Sequence, residues 1–423
     1  MRSRLPDFCS ILAAFEEKGY AAFLVGGSVR DLFLGLPPCD LDVTTDAPPE
    51  AIPSVFPDVR RVGPSRTPVF ILPHCGLPVE ITSHAGWSLE TDLSRRDFTV
   101  NAMAIDVRGV LIDPMDGSRD CSARILRFCG DPSDRIREDP VRILRFARFA
   151  ATLPGFSPSD DIVLPCRNHC RELSRVSVER LTAEVRKALS GDPLAFFDLL
   201  DGTGALGVLF PEVAALRGVT QDPVVHPEGD AFEHTRACLS AARSLSGDIR
   251  LRLAVILHDI GKSFCRTITG ETIRFPDHED AGARMTRGIL ERMRFPSSET
   301  RDTTALVRLH GLPLRSLPPE GLAELFCELG EDRMNLLFML SWCDMAGGRG
   351  VRDAWLENRR AALGIVARAL REREVLRSRA FGRPSDADGT AGENWGPERG
   401  NDYRRLRLRY LAGLLPDCDR GVT

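Results

Sequence analysis

A short apolar segment that ends in two glycines places the strongest constraint on the N-terminal part of this chain. Residues 21–25 (Ala-Ala-Phe-Leu-Val) run directly into Gly26 and Gly27. The pattern predicts a strand, a Gly-Gly turn and a short helix, with Ser28 near the helix N-cap and Gly35 beyond its end. Glycines at such a position let a phosphate approach backbone N–H groups, although most Gly-Gly turns are only structural.

The segment that follows alternates polar and apolar residues, as a strand with one buried face does. Asp40 and Asp42 fall on one face, and Leu41 and Val43 fall on the other. Neighbouring carboxylates repel each other unless a cation lies between them, and Mg²⁺ binds carboxylates together with substrate phosphates. The alternative is a pair of solvent-facing aspartates on an edge strand.

A third carboxylate, Glu80, lies between apolar neighbours in the predicted strand 77–82. A carboxylate in that setting needs a partner. A Gly-Gly turn, an Asp-x-Asp strand and a later strand glutamate are together typical of two-metal phosphoryl transfer. In that chemistry one metal activates a hydroxyl and the other holds a triphosphate.

A basic helix is predicted after Asp139, which precedes Pro140 as an N-cap precedes a proline at the first helical position. Arg142, Arg145 and Arg148 recur every three residues and therefore cover one broad face of that helix. By itself, such a face is more often solvated than functional.

The net charge of −4 over 423 residues conceals two segments of opposite sign. Residues 1–120 hold 11 basic and 17 acidic side chains, and residues 121–190 hold 13 and 9. The overall acidity therefore does not exclude a nucleic-acid partner. No run of about 18 apolar residues and no N-terminal signal core occurs, so we expect no membrane span and a cytoplasmic location.

The C-terminal half contains histidines and aspartates in an order that suits a divalent metal with nitrogen and oxygen ligands. His258 and Asp259 end an apolar, helix-like run, His234 precedes them, and Asp344 lies on a later apolar run. A single buried histidine is more often a core residue, but four such groups are harder to explain in that way.

Five stretches, in order, resemble the class II tRNA nucleotidyltransferase and bacterial poly(A) polymerase family. The match spans roughly residues 21–190. Its stretches are Leu24–Asp31 with Asp40-Leu-Asp42, Arg95–Ala102, Asp113-Pro114 with Gly117, Glu138–Phe149 and Val176–Leu181.

The resemblance implies template-independent transfer of nucleoside monophosphates from CTP and ATP to a tRNA 3′ end. Asp40 and Asp42 would hold Mg²⁺, and Glu80 would orient or deprotonate the 3′-hydroxyl. Triphosphate and ribose would be bound by Gly26, Gly27, Arg30, Arg96 and Asp97. Asp139 and Arg142 would read the base, and Arg145 and Arg148 would lie nearer the phosphates.

The C-terminal half resembles the HD phosphohydrolase superfamily, in which His234, His258, Asp259 and Asp344 match the metal ligands. His278 and His310 match extra histidines of its metal-competent members. The resemblance implies an appended phosphohydrolase that uses Ni²⁺, Mn²⁺ or another divalent ion.

Two departures leave the product open between CCA, CC alone and poly(A). Only residues 81–94 separate Glu80 from Arg95, a short segment typical of relatives that add two cytidines, and His84 stands where an arginine is usual. A further alternative is an RNA-binding protein whose only chemistry is HD hydrolysis, although the intact Asp40, Asp42 and Arg30 argue against it.

The expected fold class is α+β: a nucleotidyltransferase head with a small mixed β-sheet, an all-α neck and body, and an α-helical HD domain. We predict a head at 1–125, a neck that binds RNA and nucleotide at 126–220, an HD domain at 221–380, and a linker and tail at 381–423.

Overall fold

A computed structural model describes residues 8–63, 68–74, 77–270, 272–312, 314 and 319–348. Within them the chain divides into two compact units. The first runs through Ala188 and includes Asp198–Val208, and the second comprises Leu189–Phe197 and the chain from Leu209 on. The predicted tail and the last part of the predicted HD domain lie outside the described residues. The finer four-part division stays a prediction.

The described strands are β1 (Ala22–Val25), β2 (Leu41–Thr45), β3 (Arg60–Val62), β4 (Val69–His74), β5 (Leu77–Ser83), β6 (Ala104–Ile105), β7 (Leu111–Ile112), β8 (Ile125–Leu126), β9 (Ser157–Pro158), β10 (Thr267–Thr269) and β11 (Thr272–Arg274).

The described helices are α1 (Phe8–Glu16), α2 (Gly27–Phe33), α3 (Ile52–Val55), α4 (Leu89–Ser94), α5 (Gly117–Ala123), α6 (Pro132–Glu138), α7 (Arg142–Thr152), α8 (Val163–His169), α9 (Val178–Ala188), α10 (Pro193–Gly202), α11 (Ala205–Leu209), α12 (Pro211–Ala214), α13 (Ala231–Ala242), α14 (Ile249–Leu257), α15 (Lys262–Cys265), α16 (His278–Arg292), α17 (Ser297–Leu309) and α18 (Pro319–Gly347). Short 3₁₀ helices span Thr99–Asn101 and Cys170–Arg175.

The expected mixed sheet lies in the first unit. In the described part of the chain it has seven strands in the order β3-β4-β5-β2-β1-β6-β7. The β2–β5 pair is parallel and the other pairs are antiparallel. The parallel pair places Asp42 directly beside Glu80. The expected α+β class with a mixed sheet is therefore confirmed.

Aromatic packing joins the sheet region to the helices that follow it within the first unit. Phe98 stacks on Phe128 at a ring-centroid distance of 4.8 Å and meets Phe149 edge to face at 5.4 Å. All three rings are buried, and burial of such a side chain contributes roughly 1.5–3 kcal/mol. This packing ties the second half of α7, through Phe149, to the segment that contains Phe98.

The second unit is mainly helical, as expected. Helix α13 packs against α14 and α18, α14 packs against α17 and α18, and α16 packs against α17. Its helix starts follow local capping rules: Asp230 accepts hydrogen bonds from Phe232 N and Glu233 N, and Asp248 accepts one from Arg250 N. The β10–β11 hairpin is a departure from the all-α expectation, as is the short β8–β9 pair in the first unit.

We expect Gly261→Ala to destabilise the second unit. An added Cβ would lie 2.1 Å from the carbonyl oxygen of His278 and 2.8 Å from the backbone nitrogen of Gly282. Because backbone atoms cannot rotate away, the cost should be about 1–3 kcal/mol or more. Urea unfolding measures it.

Gly288→Ala is the matched control, because Gly288 lies inside α16 with no atom within 4 Å of its added Cβ. Alanine is the better helix former there by about 1 kcal/mol, so this variant should be stabilised. Equal stabilities of the two variants would contradict the close packing at Gly261.

Candidate functional sites

A cavity of about 590 Å³ in the first unit brings together every catalytic and nucleotide-binding residue expected from the sequence. Its size is that of a small-molecule site. The expected residues that line it are Gly26, Gly27, Arg30, Asp40, Asp42, Glu80, Arg96, Asp97, Asp139, Arg142, Arg145 and Arg148. Their roles stay predictions, since lining one cavity shows proximity and not chemistry.

The carboxylates of this cavity are positioned by strand pairing and by one hydroxyl. Asp42 and Glu80 are register partners on β2 and β5. The Ser28 hydroxyl donates to the carbonyl oxygen of Asp40 at 3.1 Å and accepts from Asp42 N at 2.8 Å. Ser28 therefore ties α2 to the start of β2. Ser28 lies near the helix N-cap, as predicted, since α2 begins at Gly27 with Gly26 as its N-cap.

The electrostatics at Asp42 fit a site that binds a cation. The pKa of Asp42 is raised to about 6, mainly by burial and also by the nearby Asp40 and Glu80, although Arg96 lowers it. The cluster therefore holds more negative charge than its surroundings compensate, which a divalent ion would relieve. This donor set of carboxylate oxygens is the kind that Mg²⁺ prefers.

The turn before α2 requires glycine at position 26. Gly26 has φ of 73°, and a Cβ on it would lie 2.5 Å from Asp42 Oδ2 and 2.9 Å from Arg96 Nη1. A side chain there would therefore push into the carboxylate and the guanidinium at once. Gly27 N donates to Asp42 Oδ2 at 3.3 Å, which fixes the distance between the turn and β2.

Two arginines from separate motifs face the same cavity. Arg30 donates from Nη1 to Asn101 Oδ1 at 2.6 Å and pairs with Asp31 at 2.7 Å. Arg96 contacts Asp92 at 3.4 Å, and its Nε is buried with no hydrogen-bond partner in the described part of the chain. An orphaned guanidinium nitrogen beside a glycine turn suits a phosphate oxygen.

Asp97 and Arg145 bind each other in this structure. Arg145 Nε donates to Asp97 Oδ2 at 2.7 Å, and Asp97 also accepts from Asn101 Nδ2 and Phe98 N. Burial raises the pKa of Asp97, but Arg145 and these donors outweigh it, and the pKa lies below its ordinary value. Arg148 forms an ion pair with Glu184 at 2.6 Å. These arginines are held in place before any nucleotide arrives.

The two residues expected to read the base are held separately. Asp139 Oδ2 accepts from Arg180 Nη2 at 2.6 Å. Arg142 donates to the carbonyl oxygens of Arg135 and Arg95, both at 2.9 Å, and to Glu138 at 2.8 Å.

The prediction of Asp139 as N-cap is wrong in detail. Helix α7 begins at Arg142 with Val141 as its N-cap, and Asp139 is the C-cap of α6. The Asp139 carboxylate still accepts from Val141 N at 3.3 Å, so it contacts the chain just before the helix.

Sequence reasoning missed Asn101, Arg180 and Glu184, which also line the cavity. Arg180 and Glu184 are four residues apart on α9 and therefore share a face. Glu184 is buried in spite of its charge. A buried-face glutamate directly after the Val176–Leu181 motif, opposite a row of arginines, was the available signal.

The second unit contains a group of histidines whose Nε2 atoms converge. The Nδ1 atom of each of four histidines lies within hydrogen-bond distance of an oxygen outside the group. The contacts are His234 with Glu228 at 2.6 Å, His258 with Val255 O at 2.9 Å, His278 with Phe275 O at 2.8 Å and His310 with Val307 O at 2.7 Å. Such outer contacts fix the tautomer that leaves Nε2 as a metal ligand.

Asp259 lies between two pairs of these histidines. Its Oδ2 is 3.3 Å from His258 Nε2 and 3.9 Å from His234 Nε2, and its Oδ1 is 3.6 Å from both His278 Nε2 and His310 Nε2. Lys262 Nζ also donates to Oδ2 at 2.6 Å. These separations between Asp259 and the histidines are close to the distance of about 3.4 Å between two ligands of one tetrahedral zinc ion with bonds of about 2.1 Å.

The donors of the second unit fit a divalent metal on two observations. Asp344 Oδ1 lies 2.9 Å from His234 Nε2, and all four ligands expected from the sequence are brought together. His258 Nε2 and Asp259 Oδ1 are buried with no properly oriented hydrogen-bond partner among the described residues.

Sequence reasoning missed Cys238, whose Sγ lies within 4.8 Å of donor atoms of His234, His258 and Asp344.

Among the described residues no helix is both long and apolar enough to cross a membrane.

Comparison with protein families finds three matches along the chain. The model described as "Poly A polymerase head domain" matches residues 22–75 and 78–127. "Probable RNA and SrmB- binding site of polymerase A" matches residues 155–216, and "HD domain" matches residues 231–334.

Individual relatives are similar over most of the chain. The Multifunctional CCA protein of Halorhodospira halophila is 39% identical, with 95% of this chain and 98% of that protein covered. That of Methylococcus capsulatus is 36% identical, with coverage of 86% and 92%. The crystal structure of the Bacillus stearothermophilus CCA-adding enzyme in complex with CTP superposes with a TM-score of 0.67 at 25% identity, covering 98% of this chain and 94% of that one.

We expect Asp42→Asn to stabilise the metal-free protein at pH 8. The folded-state pKa of about 6 exceeds the ordinary value of 3.8, so ionisation of Asp42 opposes folding. This cost is fully present above about pH 6 and absent below about pH 4, and it amounts to at most about 3 kcal/mol.

Denaturant unfolding in EDTA at pH 8 and pH 4 measures the difference. Asp58→Asn is the control, because Asp58 is an exposed residue of a turn after α3 and should change little at either pH. A loss of stability in Asp42→Asn at pH 8 would contradict the raised pKa.

Proposed function

Since this chain belongs to the family of multifunctional CCA proteins, we propose that it adds the CCA sequence to the 3′ ends of tRNA from CTP and ATP without a nucleic-acid template. The observation that supports this most is 39% identity to a Multifunctional CCA protein over 95% of the chain. The chain is a nucleotidyltransferase with an HD domain, and tRNA, CTP and ATP are its partners. We propose the cytoplasm as its location.

In this proposal the carboxylates of the cavity bind the metal ion and the 3′-hydroxyl, and its arginines bind the nucleotide. Asp40 and Asp42 would hold Mg²⁺, and Glu80, directly beside Asp42 on β5, orients the 3′-hydroxyl or accepts its proton. When bound, the ion supplies Lewis-acid polarisation of the triphosphate. Arg30 and Arg96 bind triphosphate and ribose beside the turn at Gly26 and Gly27.

We propose that Asp139 and Arg142 select the base. A carboxylate accepts and a guanidinium donates, so the pair can present hydrogen bonds that complement a base edge, with discrimination of about 1–3 kcal/mol. Asp97 and Glu184 keep Arg145 and Arg148 in place beside this position. Preorganised arginines of this kind lose little freedom when a nucleotide binds.

The second unit supports a second function, metal-dependent phosphoester hydrolysis. The supporting observation is the convergence of His234, His258, Asp259 and Asp344, with His278 and His310 on the other oxygen of Asp259. When bound, a divalent ion such as Ni²⁺ or Mn²⁺ supplies a nucleophilic hydroxide near neutral pH. Lys262, bonded to Asp259 and Gln221, holds that carboxylate in position.

We expect the full chain to extend tRNA that ends at the discriminator base. With CTP alone it should add two nucleotides, and with CTP and ATP it should add three, as sized on a sequencing gel. Asp40→Ala should lower the rate at least about a hundredfold, and Asp58→Ala should leave it unchanged.

Two nucleotides and no third with both substrates would instead establish CC addition, in keeping with the short segment 81–94. Long tails from ATP alone would establish a poly(A) polymerase. An Asp40→Ala variant as active as the wild type would overturn the assignment of the transferase site.

We expect bis-p-nitrophenyl phosphate to be cleaved in the presence of Ni²⁺ or Mn²⁺. His258→Ala should abolish this cleavage and retain tRNA extension, whereas Asp40→Ala should do the reverse. The absence of cleavage with every divalent ion, in a protein that still extends tRNA, would remove the hydrolase function and leave the transferase standing.

A further inference from the structure

We propose that Cys238 is a further ligand of a thiophilic divalent ion, such as Zn²⁺, beside His234, His258 and Asp344. This inference rests on the proposal that the second unit holds a divalent metal. It adds a sulfur donor to the ligand set expected from the sequence.

Helix spacing and distance place the sulfur at the metal group. His234 and Cys238 are four residues apart on α13 and therefore lie on one face of that helix. Cys238 Sγ is 3.4 Å from His234 Nε2. Two ligands of a tetrahedral zinc ion, one sulfur at about 2.3 Å and one nitrogen at about 2.1 Å, are about 3.5 Å apart.

The hydrogen bonds made by Nδ1 of the histidines leave their Nε2 atoms available to a cation. The Nδ1 of His234 faces Glu228, and the Nδ1 of His258 faces Val255 O. When the single proton of each ring lies on Nδ1, the Nε2 atom offers a lone pair. His234 Nε2 lies 2.9 Å from Asp344 Oδ1 and 3.4 Å from Cys238 Sγ, so three atoms that can bind one metal ion meet at this point. His258 Nε2 is buried and lacks a hydrogen-bond partner with acceptable geometry in the described part of the chain.

The space around the sulfur is also consistent with a ligand. Cys238 is buried, and a Cβ at Gly347 would lie 2.6 Å from its Sγ. Glycine at 347 therefore makes room for the sulfur beside Asp344. Cys343, which is buried next to Asp344 in the chain, does not belong to the donor group, and it offers a comparison of the same residue type.

Sulfur ligation predicts which ions bind and how they are held. On binding, the S–H bond breaks, its electron pair forms the sulfur–metal bond, and the proton passes to solvent. Thiolate favours zinc-like ions over Mg²⁺, which prefers oxygen. Asp259, His278 and His310 form a separate group of three donors, which leaves a position for water.

Titration of the metal-free full chain with Co²⁺ tests the proposal. After exposed thiols are blocked with N-ethylmaleimide, the wild type should show visible d–d bands of bound Co²⁺ and a near-ultraviolet sulfur-to-cobalt charge-transfer band. Cys238→Ser should lose the charge-transfer band, and Cys343→Ser should keep it. Zn²⁺ should displace Co²⁺ from the wild type and bind at least about tenfold more weakly to Cys238→Ser.

The outcomes separate the two proposals. Uptake of Co²⁺ without a charge-transfer band in the wild type, or a band that persists in Cys238→Ser, would overturn the role of Cys238 and leave the metal site intact. No Co²⁺ or Zn²⁺ uptake would overturn both. The wild-type spectrum decides the question even if Cys238→Ser does not fold.

Discussion

The parallel pairing of β2 with β5 is the contact on which the first site depends. It places Asp42 beside Glu80, and the turn at Gly26 brings backbone and Arg96 close to the same carboxylate. Burial of this carboxylate, together with repulsion from Asp40 and Glu80, raises the pKa of Asp42 to about 6. The unbound site therefore stores an unfavourable interaction that a divalent ion and a triphosphate can relieve, which is a physical reason for a metal requirement.

The opposite charge lies on α7 and α9, where arginines meet buried carboxylates. Asp97 and Glu184 neutralise Arg145 and Arg148 and hold them in fixed positions. Breaking a buried pair by removing one partner typically costs about 3–5 kcal/mol. The acidic strands and basic helices of one cavity explain why the net charge of −4 says little about a nucleic-acid partner.

In the second unit the expected metal ligands are brought together by helix ends and not by strand pairing. Each histidine of the group is oriented through Nδ1 by a carbonyl or carboxylate outside it, and Asp259 presents one oxygen to each pair. Helix ends supply several of these residues: His258 and His310 cap the C-terminal ends of α14 and α17, and His278 begins α16. Packing of these helices decides the site, because their ends meet only when the core forms.

The sequence by itself determined whatever depends on neighbouring residues. The strands at 22–25, 41–45 and 77–83, the Gly-Gly turn, the row of arginines on α7 and the order of histidines and aspartates all follow from short patterns. The exact helix starts at Gly27 and Arg142 did not, because several residues can cap a helix equally well and tertiary contacts choose among them.

Only the tertiary structure decided which distant groups pair. Arg145 binds Asp97 across 48 positions, Arg180 binds Asp139 across 41, and His234 meets Asp344 across 110. Cys238 belongs to no recognisable motif, and only the folded chain shows that it lies beside His234 and Asp344. Local periodicity carries no information about such pairs, because chain folding sets the distance between them and residue spacing does not.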